Sequence, residues 1–430
     1  MKIAMIGTGY VGLVTGTCFA ELGNSVICVD NDLNKIKKLN QGIIPIYEPG
    51  LEEMVHKNME AKRLDFTSEI EETIKVSDII FIAVGTPPKE NGEADLSSVE
   101  KVSAIVADVM TEYKLVVGKS TVPVNTGRWI KKTINIRNIK GVDFDIASNP
   151  EFLREGSAIN DFLHPDRIVI GVESEKAKNL LCELYKPIDA PILVTDIESA
   201  EIIKHASNSF LATKISFINA ISIICELSGA DVRKVAEGMG LDKRIGKDFL
   251  SAGAGFGGFC FPKDLSAFIK IAENLGYDFR LLKEVENINS EQKKTIVKKI
   301  RENLWNLNEK TVGILGLSFK PNTDDIRYAP SIDIIGELLK ENVQIKAYDP
   351  QAMERTKRIF PNIVYCRNPY EVCEGTDALV ILTEWDEFKE LDMKRVKALL
   401  KTPIIIDGRN IFDPEIMRED GFLYTGIGTK

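Results

Sequence analysis

The sequence predicts an α/β protein in which two doubly wound parallel-sheet domains are joined by a long central helix. Three observations predict it. Short apolar runs alternate with helical patterns from residue 2 to about residue 195. An apolar stretch of helical spacing then continues to about Leu227. Near Thr311 the strand–helix rhythm restarts and repeats the opening theme, a glycine-bearing first strand and an acid after the second. The expected divisions are 1–195, 196–305 and 306–430.

The 430 residues suit two or three domains, and 44% hydrophobic with 28% charged residues describe an ordinary globular chain. A net charge of −9 argues against a general nucleic-acid or membrane-surface binder. No apolar run reads as a bilayer span. Met1–Ile6 runs straight into a glycine loop, unlike a signal peptide. Seven cysteines (Cys18, Cys28, Cys182, Cys225, Cys260, Cys366, Cys373) are scattered without a CxxC pair, so neither a disulfide framework nor a zinc site is expected, and a reducing cytoplasm fits. His56, His164 and His205 show no metal spacing, and no metal is expected.

In the first domain, a strand over Lys2–Ile6 runs into Gly7-Thr8-Gly9-Tyr10-Val11-Gly12, and a helical pattern follows through Leu22. A second strand, Ser25–Val29, ends at Asp30. In such a Rossmann-like βαβ unit the first glycine makes the turn, the second admits a pyrophosphate and the third lets helix and strand pack. The helix N-terminus faces the phosphates. Asp30 is placed to accept hydrogen bonds from the adenosine ribose and to repel a 2′-phosphate, which favours NAD over NADP. Lys35 lies close by or is a solvated helix charge; the sequence leaves both open.

Strands over Asp78–Val84, Leu115–Lys119 and Asp143–Ala147 each exit into a polar, proline-containing turn, where open parallel sheets place their ligand crevice. Thr86 and Thr121 offer hydroxyls there, although Ser and Thr before Pro are also plain turn chemistry. In Asn149-Pro150-Glu151-Phe152-Leu153-Arg154-Glu155 the proline suits a first helical turn, which puts Glu151 and Glu155 on one helix face. Acids complementing a helix N-terminus are the plain alternative. Asp166–Gly171 and Ile192–Val194 read as two more strands.

Thr195-Asp196-Ile197-Glu198 matches a capping box with Thr195 as N-cap. The helix it opens is about 45 Å long at 1.5 Å per residue. It is too long and apolar for a surface crossover, and is expected to connect domains and to pack against a copy of itself, giving a homodimer. Lys204, Asn208 and Leu211 share one stripe. Either Lys204 and Asn208 are a cation and an amide aimed at substrate oxygens, or a snorkelling lysine lies beside a satisfied amide.

Asp231–Gly240 reads as a capped helix. Four glycines fall within Gly253–Gly258, and Cys260, Pro262, Lys263 and Asp264 follow closely. Glycine density of this kind serves positive φ and close approach to a ligand. A thiol followed by a cation reads as a nucleophile, whereas most cysteines are inert core residues. Helical patterns cover Asp264–Leu275 and Lys283–Leu304. In the last domain, strands are expected over Val312–Leu317, Val343–Tyr348, Asp377–Leu382 and Pro403–Ile406. The fingerprint has decayed to Gly316-Leu317-Ser318-Phe319-Lys320, with Asp349 after the second strand. A second nucleotide-like ligand is therefore expected, but not a second NAD. Lys320 and Arg327 flank Asp324-Asp325 as candidate phosphate or hydroxyl contacts; as a bare charge cluster they would form a surface loop.

Taken together these motifs resemble the UDP-glucose/GDP-mannose dehydrogenase family over nearly the whole chain. The resemblance rests on Gly7–Gly12, Ser120-Thr121-Val122-Pro123, Asn149-Pro150-Glu151-Phe152-Leu153, Lys204 with Asn208, the Gly255–Asp264 loop and Phe319–Arg327. Phe261-Pro262-Lys263-Asp264 and Lys320-Pro321-Asn322-Thr323 look most like the branch acting on UDP-glucose. Phe259 departs from that branch, which usually has Ser there, and UDP-N-acetyl-hexosamines or GDP-mannose are the alternative substrates.

The resemblance implies a four-electron oxidation of a primary alcohol to a carboxylate with two NAD⁺ in turn, through a Cys260 thiohemiacetal and thioester. It implies oxyanion stabilisation by Lys204 and Asn208, a water held by Asp264, and acid/base work by Glu151 with Thr121 in its network. Cofactor contacts follow for Gly7, Gly9, Tyr10, Val11, Gly12, Asp30, Lys35, Thr86, Thr121, Glu155, Lys263 and Arg327. Glu151, Phe152, Leu153, Arg154, Glu155, Lys204, Asn208, Phe249, Leu250, Ser251, Ala252, Gly253, Gly257 and Lys320 would line the sugar nucleotide, and Arg244 would reach a neighbouring subunit's site. Two other classes remain: a two-electron β-hydroxyacid-type dehydrogenase and a non-turnover NAD sensor with Cys260 as redox switch. Two, one or no NADH per substrate separates the three.

Overall fold

The computed structural model describes residues 1–89 and 92–429. Its contacts divide the chain into two units: Met1–Ser207 with Ser266–Gly276, and Asn208–Leu265 with Tyr277–Lys430. The central stretch 196–305 is thus shared between both.

Eight strands of the first unit are β1 (Lys2–Ile6), β2 (Ser25–Val29), β3 (Leu64–Thr67), β4 (Ile79–Ile82), β5 (Lys114–Gly118), β6 (Phe144–Ser148), β7 (Ile168–Val172) and β8 (Ile192–Thr195). Their order is β3-β2-β1-β4-β5-β6-β7-β8. Every pairing is parallel except β6–β7. The order reverses between β1 and β4, and this switch point is where an open α/β sheet takes its ligand. β1 and β4 are apolar on both faces because helices cover both, and Ile3, Ala4, Met5, Ile79, Ile80 and Phe81 are fully buried.

Six strands of the second unit follow: β9 (Thr311–Leu315), β10 (Gln344–Tyr348), β11 (Val364–Tyr365), β12 (Ala378–Ile381), β13 (Ile404–Asp407) and β14 (Leu423–Thr425). The order β11-β10-β9-β12-β13-β14 is parallel throughout and repeats the same reversal, here between β9 and β12. The two-sheet α/β architecture read from the sequence is the one found. β3, β11 and β14, short strands at or near sheet edges, were not read from the sequence, because so few residues carry too little period-2 signal.

The central helix runs from Ile197 to Ser228. Asp196, not Thr195, caps it: its carboxylate accepts from the Ser199 amide at 2.7 Å. Length and composition alone would let this helix cross a membrane, since its most apolar window has a mean hydropathy of 1.6. That corrects the reading that no run qualifies. Within the second unit the same helix buries Ile218 and Cys225 in the core and donates from the Ser216 hydroxyl to the Val285 carbonyl at 2.9 Å.

Two other local expectations change. Residues 149–157 form a loop, and the helix there starts only at Ala158, so Glu151 and Glu155 do not share a helix face. Side chains take the backbone donors that a helix would use. Glu151 accepts from the Leu153 amide at 2.6 Å, and Glu48 accepts from the Gly156 and Ala158 amides at 2.6 and 2.7 Å. The helix expected from Asp264 begins at Cys260 instead, with Pro262 in its first turn, where its missing N–H costs nothing.

Candidate active site

In the first unit the three fingerprint glycines differ in what surrounds them. A Cβ on Gly7, at φ +105°, would come within 2.6 Å of the Ala83 carbonyl oxygen. One on Gly12 would come within 1.9 Å of the Gly7 carbonyl oxygen, while one on Gly9 would meet nothing within 4 Å. Two glycines thus close the turn and one leaves open the approach to the helix N-terminus. That helix, Tyr10–Glu21, has no side-chain cap on its first amides, which leaves those donors for an anion.

Asp30 closes the other side. It accepts from the Thr8 amide at 3.0 Å, the Thr8 hydroxyl at 2.6 Å, the Asp32 amide at 3.0 Å and Lys35 Nζ at 2.8 Å. Burial raises its pKa, but Lys35, Thr8 and the two amides outweigh burial and bring it to about 2. Lys35 is therefore a partner of Asp30. Open Gly9, an uncapped helix start and an ionised acid at the end of β2 fit a dinucleotide.

Tyr10 donates its hydroxyl to Glu48, the residue that holds Gly156 and Ala158. The fingerprint is thereby tied to the loop carrying Glu151, Phe152, Leu153, Arg154 and Glu155. Val11 follows Tyr10 as the second residue of the fingerprint helix. Thr86 and Thr121, at the exits of β4 and β5, are joined by a 2.9 Å bond from the Thr86 hydroxyl to the Thr121 carbonyl. Lys204 Nζ lies 3.0 Å from the Glu151 carboxylate, both side chains 4% exposed, and 5.4 Å from the Phe152 ring centre. Arg167 stacks on that ring at 3.7 Å. Arg154 pairs with Asp161 at 2.6 Å.

The second unit holds the thiol. Cys260 is half-buried at the first residue of its helix, where the helix dipole favours a negative charge. One turn on, Asp264 accepts from the Asn208 amide nitrogen at 2.7 Å and from Lys263 at 2.6 Å. Arg327 lies 4.2 Å and Lys263 5.6 Å from the centre of the Phe259 ring, so two cations approach that ring. Arg327 also forks onto Asp325 at 2.7 and 2.8 Å. Lys320 lies 5.5 Å from the Phe319 ring centre.

Glycine is required where this loop meets the 319–329 segment: a Cβ on Gly257 would fall 2.5 Å from the Tyr328 carbonyl oxygen, and one on Gly258 2.8 Å from the Phe319 ring. Phe249 sits at φ 63°, Leu250 and Ala252 are buried and Ser251 is exposed. Arg244, 89% exposed, is forked onto Asp242.

Sequence reasoning missed the groups that hold this loop. Asn219 accepts from the Gly253 amide at 2.9 Å and Gln292 donates to its carbonyl at 2.8 Å. Asn289 pairs with both backbone groups of Phe256 at 2.8 and 3.1 Å. Arg409 donates to the carbonyls of Leu382, Gly255 and Phe319 at 2.7, 3.3 and 3.2 Å. Amides on otherwise apolar helix faces were the available signal.

Asp349, which follows β10 as Asp30 follows β2, differs from Asp30 in having both oxygens doubly occupied or more by its own domain. One of its oxygens accepts from the Leu317 and Ser318 amides, the Ser318 hydroxyl and Trp385 Nε1; the other accepts from the Gln351 and Ala352 amides. The acid is fully buried, and no lone pair remains for a ribose.

Comparison with known proteins agrees with this division. Models of the UDP-glucose/GDP-mannose dehydrogenase family match in series: the NAD binding domain over residues 1–189, the central domain over 198–291 and the UDP binding domain over 313–414. The chain is 51% identical over 428 residues to the UDP-glucose 6-dehydrogenase TuaD of Bacillus subtilis, covering 99% of this chain and 93% of that one. It is 43% identical over 443 residues to a UDP-glucose 6-dehydrogenase of Pseudomonas aeruginosa, covering 100% and 97%. A solved UDP-glucose dehydrogenase from Pyrobaculum islandicum superposes with a TM-score of 0.93 at 39% identity, covering 100% and 98%. The chain thus belongs to the UDP-glucose/GDP-mannose dehydrogenase family and is an NAD-dependent nucleotide-sugar dehydrogenase.

Proposed function

We propose that the protein is a UDP-glucose 6-dehydrogenase that oxidises the C6 alcohol of UDP-glucose to the carboxylate of UDP-glucuronate. The observation that carries this reading is full-length identity of 43–51% to several proteins bearing that name. Gly7–Gly12, Asp30, Thr86 and Thr121 would hold NAD, which would supply the hydride acceptor for both oxidations.

The chain's own residues have three tasks. The first oxidation removes a hydride from C6 and a proton from its hydroxyl, leaving an aldehyde. The Cys260 sulfur adds to the aldehyde carbon and its proton passes to the oxygen, which gives a thiohemiacetal and prevents escape. Loss of a second hydride from C6 and of the hydroxyl proton leaves a thioester. Water then adds to the thioester carbon with Glu151 as base, the C–S bond breaks, and carboxylate and thiol are released. Lys204 and Asn208, one turn apart on the central helix, donate to the successive oxyanions; one such donor contributes about 3 kcal/mol. Asp264 fixes the Asn208 amide and positions water. Lys263 and Arg327 would contact the cofactor, and Lys320 with the Phe249–Gly253 segment would hold the sugar nucleotide.

Phe259 favours keeping a second reading, the same chemistry on another nucleotide sugar. NADH yield across UDP-glucose, UDP-N-acetyl-hexosamines and GDP-mannose tests both. Two NADH per UDP-glucose is the expected result; one NADH, or preference for another sugar, sinks the first reading.

The active form is a homodimer in this reading. Phe210, Phe217, Ile224 and Leu227 project from the central helix at 49–85% exposure, an apolar face that a second copy would cover. A monomer in sedimentation equilibrium removes it. The cytoplasm is the compartment proposed, from the scattered spacing of the seven cysteines, and 1–195, 196–305 and 306–430 are the proposed functional divisions.

A further inference from the structure

Lys119 follows β5 directly and is 4% exposed. Its ammonium donates to the Asn149 side-chain oxygen at 2.9 Å and to the Tyr185 hydroxyl at 3.4 Å. Asn149 donates in turn to the Val169 carbonyl at 2.8 Å, and its own amide bonds the Gly118 carbonyl at 2.9 Å. These contacts lock the residue from which the Pro150–Glu151 turn departs. Two residues beyond Asn149, Glu151 pairs with Lys204.

A lysine this buried is costly unless it does something that an apolar side chain cannot. Tyr185 donates to the same Asn149 oxygen at 2.5 Å, so Lys119 and Tyr185 hold that side chain together. The charged groups that act on Lys119 are Glu151, which favours its cation, and Lys204, which opposes it; the Tyr185 phenol stands beside it. Burial, more than Lys204, brings its pKa down to about 7. Lys119 therefore adds a cation to the cluster below neutral pH and not above it.

We propose that Lys119 is a positioning residue for the Glu151–Lys204 pair, holding the Glu151 turn through Asn149 and setting, by gaining or losing its own proton, the charge against which Glu151 works as a base. An extra buried cation lowers the proton affinity of the carboxylate beside it. Protonated Lys119 adds a second cation to the field that Glu151 faces and neutral Lys119 removes it, so turnover is expected to rise through the Lys119 titration. The proposal rests on the base role assigned to Glu151 above.

The test compares wild type with Lys119→Met, nearly the same length and permanently neutral, and with Lys119→Gln in case the first fails to fold. Expected for wild type is a saturated turnover about tenfold higher at pH 8 than at pH 6, one pH unit being a factor of ten in protonation. The same ratio falls to about threefold or less in Lys119→Met, with KM for NAD unchanged. Equal ratios in wild type and both variants overturn the proposal.

A second readout needs no turnover. The folded pKa of Lys119 lies below that of a free lysine, so the unfolded chain binds more protons between about pH 7 and 10. Wild type should gain stability relative to Lys119→Met as pH rises through that window and lose it as pH falls toward 7. Parallel denaturation midpoints across the window also overturn the proposal. Should wild type turn over no nucleotide sugar, the functional reading fails, while the stability comparison still reports whether Lys119 titrates.

Discussion

The Lys204 ammonium lies 3.0 Å from the Glu151 carboxylate, with both side chains almost wholly out of solvent. Removing one member of such a pair leaves the other charge buried without compensation, which costs about 3–5 kcal/mol, whereas removing both costs far less. Lys204→Met should lower folding stability by several kcal/mol, and Glu151→Gln/Lys204→Met should recover most of it while remaining inactive. Denaturant titration gives the first quantity and NADH production the second. A double variant no more stable than the single one contradicts the prediction.

Cys260 stands apart in sequence from every residue of the NAD fingerprint. Cys260→Ala should therefore bind NAD with nearly unchanged affinity yet fail to complete the second oxidation. Product analysis by mass spectrometry should show no uronate above background. Normal uronate formation would remove the covalent step.

Asp30 holds Thr8, Asp32 and Lys35 at once. Asp30→Ala should weaken NAD binding about tenfold, the scale of one lost charge-assisted hydrogen bond. It should also narrow the preference over NADP, because Lys35 is freed to face a 2′-phosphate. Unchanged cofactor constants refute this. The same carboxylate has a pH signature. Its folded pKa is lowered from 3.8 to about 2, so its contribution to stability is complete above pH 4 and is lost as pH falls toward 2. Acid unfolding of Asp30→Ala should accordingly be shallower across that window.

Gly9 and Gly12 separate binding from folding. Nothing lies within 4 Å of a Cβ on Gly9, whereas one on Gly12 would strike the Gly7 carbonyl at 1.9 Å. Gly9→Ala should fold with a melting temperature close to wild type and bind NAD poorly. Gly12→Ala should lose stability before affinity can be measured. Calorimetry on both, with NADH titration of the first, decides it. A Gly9→Ala protein with normal affinity would mean that the cofactor does not approach there.

The sequence by itself determined both sheets apart from their short edge strands β3, β11 and β14, the NAD fingerprint, the glycine–cysteine loop and the lysine and amide of the central helix. Each is a local pattern: glycines at fixed offsets, acids after strands, apolar residues at a helical period. Their chemistry depends on the spacing of a few neighbours, which survives in one dimension.

Tertiary structure decided what needs partners far apart in sequence. Glu48 turned 149–157 into a loop by taking amides more than a hundred residues away. Asn149 and Tyr185 gave Lys119 its buried seat. Asp349 follows its strand as Asp30 does, but Ser318 and Trp385 take one of its oxygens and the Gln351 and Ala352 amides the other. A buried polar group must find a partner, and which partner it finds depends on how the strands are ordered in space. Composition and periodicity do not encode that order directly.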